Sequence, residues 1–158
     1  MAAPTAWRTY REFKVSLGEE KHVLNASDTI KCALYTSSSA CGNVALATAH
    51  YATLTSDGYE HANQGAPGYE TGGATVAATW ADSGGTVTFD TANAAWTATG
   101  GNIVARFAVL YNDSAADKDL IAYCILDSTP ADVTCTTGNT LTISMHTSGI
   151  FTLSGGET

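Results

Sequence analysis

The sequence predicts a mainly β fold, an antiparallel β-sandwich or jelly roll carrying one N-terminal helix and a long loop. Three observations lead there. Short apolar stretches with two-residue alternation recur from residue 74 onward, separated by turn residues. Of 158 residues, 44% are apolar and only 14% charged, so the chain can build a core and lacks the charge that keeps a segment disordered. Helical periodicity of three and four residues stands out only near the N-terminus. The length fits a single domain, residues 1–158.

Residues 1–18 read as one helix. Thr5 follows Pro4 as an N-cap, Trp7, Tyr10, Phe13 and Leu17 fall on one face, and Gly18 ends it. Residues 28–36 read as the first strand, with Ile30, Cys32 and Leu34 on one face and Lys31, Ala33 and Tyr35 on the other. From 37 to 73 the punctuation is dense, with Cys41-Gly42, Asp57-Gly58, Gly65-Ala66-Pro67-Gly68 and Gly72-Gly73. This is the long loop, with room for one helical turn between Val44 and His50. A connection of that length inside a compact domain is expected to have a task, which makes it the expected interaction surface.

Residues 74–154 read as antiparallel strands. Ala74–Ala81 and Thr86–Asp90 flank Asp82-Ser83-Gly84-Gly85, a hairpin signal. Ala94–Thr99 leads to Ile103–Tyr111, the most apolar run. Asn112-Asp113-Ser114 turns it, and Asp119–Asp127 returns antiparallel. Thr140–Met145 and Ile150–Leu153 close the fold.

Seven Lys and Arg against 15 Asp and Glu give a net charge of −8, which argues against nucleic acid or an anionic membrane as partner. No stretch reaches the ~18 apolar residues of a membrane span. The first thirty residues hold no apolar signal segment, so synthesis in the cytoplasm without export is the expectation.

Motifs of catalysis are missing. The histidines at 22, 50, 61 and 146 have no metal-ligand spacing, the glycines form neither a phosphate-binding loop nor a nucleophile elbow, and Asn112 to Asp119 departs from the EF-hand pattern. No enzyme, no cofactor and no metal are expected. Cys32, Cys41, Cys124 and Cys135 contain no C-x-x-C pair. Two readings stay open for them: buried thiols, with Cys32 and Cys124 as small core residues in strands, or disulfides, with Cys32–Cys41 and Cys124–Cys135 as the local pairing.

Several blocks carry a resemblance: Phe13-Lys14, the run Thr29 to Ser38 (TIKCALYTSS), Gly58-Tyr59, the run Gly68 to Val76 (GYETGGATV), and the run Ala108 to Ser114 (AVLYNDS). In these blocks and in their order from Phe13 to Asp127, the chain resembles a family of small virion structural proteins of tailed bacteriophages. The resemblance implies a β-sandwich virion subunit, foremost a capsid decoration (cement) protein on the outer surface of the head. Such a subunit bridges copies of the major capsid protein and self-associates, typically as a homotrimer. A tail, fibre or spike-associated role is the alternative within a virion. A carbohydrate-binding β-sandwich using Trp80 and Trp96 is the alternative outside one. Aromatic residues and Arg favour interface centres, so the expected contacts are Trp7, Arg8, Tyr10 and Arg11 on the helix and Tyr51, Tyr59 and Tyr69 in the loop.

Overall fold

A computed structural model describes residues 5–25, 27–46, 48–61, 68–127 and 132–155. In chain order the elements are β1 (Arg8–Thr9), α1 (Arg11–Gly18), β2 (Ile30–Tyr35), a 3₁₀ turn (Ala40–Gly42), α2 (Tyr51–Ser56), β3 (Ala74–Val76), β4 (Ala78–Ser83), β5 (Thr86–Thr91) and β6 (Ala94–Thr97). β7 (Ile103–Ala105), β8 (Phe107–Asn112), β9 (Leu120–Ile125), β10 (Val133–Cys135), β11 (Thr140–Ile143) and β12 (Phe151–Ser154) complete them. The protein is mainly β and sandwich-like. A five-stranded sheet runs β1-β9-β8-β2-β3 and a three-stranded sheet β12-β5-β4, with β10-β7 and β11-β6 as pairs.

The N-terminal segment departs from the expected single helix over 1–18. The Thr5 N–H donates to the Ile125 carbonyl at 2.9 Å, its hydroxyl accepts from the Ile125 N–H at 3.0 Å, and Arg8 and Thr9 pair with Tyr123 and Ala122. Threonines and aromatics suit a strand edge better than a first helical turn. The helix therefore starts at Arg11, and Gly18 is its last residue, with the left-handed turn falling on Glu20 at φ 58°.

Two expected strands prove to be corners. Ala74–Ala81 breaks at Ala77, so β3 pairs with β2 while β4 pairs with β5. Ile103–Tyr111 breaks at Arg106, whose N–H donates to the Tyr35 carbonyl at 2.8 Å; β7 goes to β10, and β8 to β2 and β9. Strands that change sheet in this way make the corners of a sandwich. β8 and β9 pair antiparallel as expected, with a register irregularity between Leu110 and Tyr111.

Strand alternation and register put Cys32, Leu34, Ala108, Leu110 and Cys124 on one face of the five-stranded sheet, and Tyr35, Phe107, Val109 and Tyr123 on the other. Both faces are buried along β8 and along β9 up to Cys124. Residues 37–46 and 48–61 cover the tyrosine-bearing face. Tyr123 donates its hydroxyl proton to the Gly42 carbonyl at 2.6 Å, Tyr10 donates to the Cys41 carbonyl at 2.6 Å, and the Tyr51 ring stacks on Tyr111 at 4.4 Å. The expected helical turn lies at Tyr51–Ser56 and not at 44–50, and the segment meets the sheet margin through single bridges, Tyr35 with Glu60 and His50 with Asp119.

The three-stranded sheet is anchored at one end. Phe89 and Trp80 lie against Phe151, with ring centroids 5.2 and 6.1 Å away, and Phe151 meets Phe13 of α1 at 5.5 Å. Beyond this aromatic group the sheet runs outward to the Gly84-Gly85 turn, where φ is 61° and 81°, the positive pair that a tight hairpin requires.

Candidate functional site

Three features stand out once the fold is in place. The first is a polar hub at Glu60, which is 8% exposed. Its carboxylate accepts from the Tyr51 hydroxyl at 2.6 Å, the Tyr69 hydroxyl at 2.7 Å and the Gly72 N–H at 2.6 Å. Tyr69 also accepts from the Leu34 N–H at 3.0 Å, where β2 has run past β3, and Tyr111 donates to the Gly72 carbonyl at 2.8 Å. Burial, and then the Glu60 carboxylate, push the Tyr51 and Tyr69 hydroxyls well above the usual phenol range. Both phenols stay protonated and donate to the same carboxylate. The Gly68-to-Gly73 block is thereby a clamp between the loop and β2. Gly73 has φ +73°, and a Cβ there would lie 1.9 Å from the Cys32 carbonyl oxygen.

The second feature is a His and carboxylate cluster between α1, the entry to α2 and the turn before β9. His50 Nε2 lies 3.3 Å from Asp119 Oδ1 and 3.6 Å from Glu12 Oε1, while Asp119 Oδ2 lies 3.6 Å from Nε2 of the fully buried His22 side chain. The third is the outer part of the three-stranded sheet. Ala81, Asp82, Ser83 and Ser154 are exposed, Leu153 is 43% exposed, and both edge strands, β4 and β12, are unpaired on their outer sides among the described residues.

The expected contact residues separate into two groups. Arg8 and Arg11 are exposed and Tyr59 is 42% exposed. Tyr59 borders a groove of about 350 Å³ shared with Thr36, Gly58, Glu60, His61, Asn102 and Val104. Tyr10 and Tyr69 instead belong to the core, at 0% and 1% exposure, because each hydroxyl finds a buried acceptor. Trp7 and Tyr51 are half-buried against that core. Trp96 is buried, and Trp80 is half-buried, packed on Phe89 and Phe151.

All four cysteines are buried and free. Cys32 and Cys41 flank opposite faces of the five-stranded sheet, which separates the first local pair. Burial pushes the thiols of Cys41 and Cys124 up to about 12 and that of Cys32 well above its ordinary range. Among the described residues, no helix is long and apolar enough to cross a membrane.

Sequence reasoning passed over Glu60, a lone acid in a loop, while Asp117 and Asp119 belong to the acidic stretch from Asn112 that offers oxygen ligands without matching the EF-hand pattern. The alternation of Asp117 and Asp119 around Lys118 was the only local signal, and His50 joins them only through the fold. Fold and site together define a mainly β, sandwich-like protein with a clamped loop and an open sheet end. Comparison with protein-family models, curated proteins and solved structures gives no match.

Proposed function

We propose that the chain is a virion structural subunit of a tailed bacteriophage, a decoration protein that docks on the outside of the head. It bridges copies of the major capsid protein and self-associates as a homotrimer. The observation that supports this reading is the open end of the three-stranded sheet. Sheet edges in free-standing proteins are blunted by Lys, Pro or bulges. β4 (ATWADS) and β12 (FTLS) contain neither Lys nor Pro, and their only charge is Asp82. Unpaired, nearly uncharged strands of this kind are suited to pairing with a strand of a neighbouring subunit. The resemblance in the blocks from Phe13 to Asp127 supplies the virion context. Arg8, Arg11 and Tyr59 are the accessible side chains of the expected contact set and form the second contact.

The test is co-sedimentation of the purified chain with phage heads assembled without it, alongside purified tails. Saturable binding to heads at a fixed ratio is expected, and Ala81→Lys on the open edge lowers it at least ten-fold. Absence of binding to heads, binding to tails alone, or an Ala81→Lys chain that binds like the parent would overturn the proposal.

A further inference from the structure

The His50 cluster has the composition and spacing of a metal site. One donor atom from each of His50, Asp117 and Asp119 lies within 4.8 Å of the others. Glu12 adds a third carboxylate beside His50. Two donors bound to one zinc ion at about 2.1 Å in tetrahedral geometry stand about 3.4 Å apart. The gaps of 3.3 and 3.6 Å from His50 Nε2 to Asp119 and Glu12 bracket that value and exceed the best hydrogen-bond lengths of about 2.7–3.2 Å. Asp117 is exposed.

The surroundings are built as well. The backbone bridge between His50 and Asp119, with the Tyr51 N–H on the Lys118 carbonyl and the Leu120 N–H on the Ala49 carbonyl, fixes the two principal donors opposite each other. Asp119 turns its second oxygen to His22, whose Nε2 also bonds Ser16 Oγ at 2.8 Å and whose Nδ1 meets Asn112 Nδ2 at 3.0 Å. Of the nearby lysines, Lys118 Nζ sits 2.7 Å from Asp113 and Lys21 Nζ 2.8 Å from Glu19, though Lys21 still feels the charges of Asp117 and Asp119. Three carboxylates thus stand around one imidazole.

We propose that His50, Asp117 and Asp119, with Glu12 beside them, bind one divalent transition-metal ion of the zinc class, joining the loop to the β9 turn and to α1. One imidazole among carboxylates favours zinc or manganese over calcium or magnesium, whose sites are built from oxygen alone. The proposal does not rest on the virion reading.

Isothermal titration of the EDTA-treated full chain with zinc, manganese, calcium and magnesium chlorides, each alone, tests it. One zinc or manganese ion per chain is expected, with a rise in melting temperature at saturation and weaker calcium and magnesium binding. Asp117→Asn, at an exposed position where folding is undisturbed, should weaken binding by at least about ten-fold, the cost even of losing an outer-shell partner. His50→Gln should do the same, and His146→Gln, at an exposed site elsewhere, should change nothing. The absence of saturable zinc or manganese binding, binding that survives Asp117→Asn, or calcium binding as tight as zinc would overturn it.

Discussion

Residues 37–61 and the β4-β5-β12 sheet are opposites in appearance and in fact. The first segment is irregular and rich in small residues, yet it covers the tyrosine-bearing face of the five-stranded sheet and is tied there by Tyr10, Tyr51 and Tyr123. The second is regular alternating β-structure, yet past Trp80, Phe89 and Phe151 it extends with exposed residues on both faces. Regularity reports how the backbone hydrogen-bonds; whether a segment is covered depends on what its side chains reach. Tyrosine is the residue that makes the difference. Its ring adds buried area and its hydroxyl satisfies a loop carbonyl or carboxylate, so an irregular backbone can close over a sheet without stranding polar groups.

The largest expected effect comes from the clamp on the loop side. Gly73→Ala forces a Cβ to 1.9 Å from the Cys32 carbonyl oxygen at a positive φ, so a stability loss of about 4 kcal/mol or more is expected in urea denaturation. A loss under about 1 kcal/mol would show that the loop yields and does not clamp. Glu60→Ala should follow, at about 3 kcal/mol, because it strands the Tyr51 and Tyr69 hydroxyls and the Gly72 N–H. Glu60→Gln, which keeps one acceptor, should cost less.

The same segment should also respond to pH through His61. Burial holds its imidazole below the ordinary 6.5 despite the nearby Glu60 carboxylate, and Nε2 is buried without a hydrogen-bond partner. The unfolded chain therefore binds the proton more readily. His61's contribution is intact above pH 6.5 and declines as the pH falls below it. His61→Gln should flatten that decline in melting temperature between pH 7 and 5; identical slopes would sink the idea. The smallest effect belongs to the open sheet. Ala81→Lys should change stability by less than about 0.5 kcal/mol, as exposed substitutions do. A larger loss would mean that the edge is already covered within the chain.

Much of the fold was legible because alternation is a local signal. β2, the β4-β5 hairpin and the β8-β9 pair all follow from apolar spacing and turn residues. The corners at Ala77 and Arg106 were not legible, since a continuous apolar run does not reveal where the partner strand changes. The N-terminal segment misled because Trp7 and Tyr10 lie at helical spacing while Thr5 and Thr9 suit a strand, and pairing with Ile125, Ala122 and Tyr123 decided between them. Among the expected contacts, residue type alone could not separate the exposed Arg8, Arg11 and Tyr59 from Tyr10 and Tyr69, whose acceptors come from residues far along the chain.

The pairing of β1 with β9 and of β2 with β8 has a consequence for the order of events during synthesis. Of the six residues of β2, three find a partner in β3; the full ladder needs residues 107–112, and β1 has no partner until Ala122 and Tyr123 are made. A sheet closed by contacts so distant in sequence forms slowly. The five-stranded sheet can close only after the ribosome has passed residue 125, so the earliest strands wait longest for their neighbours.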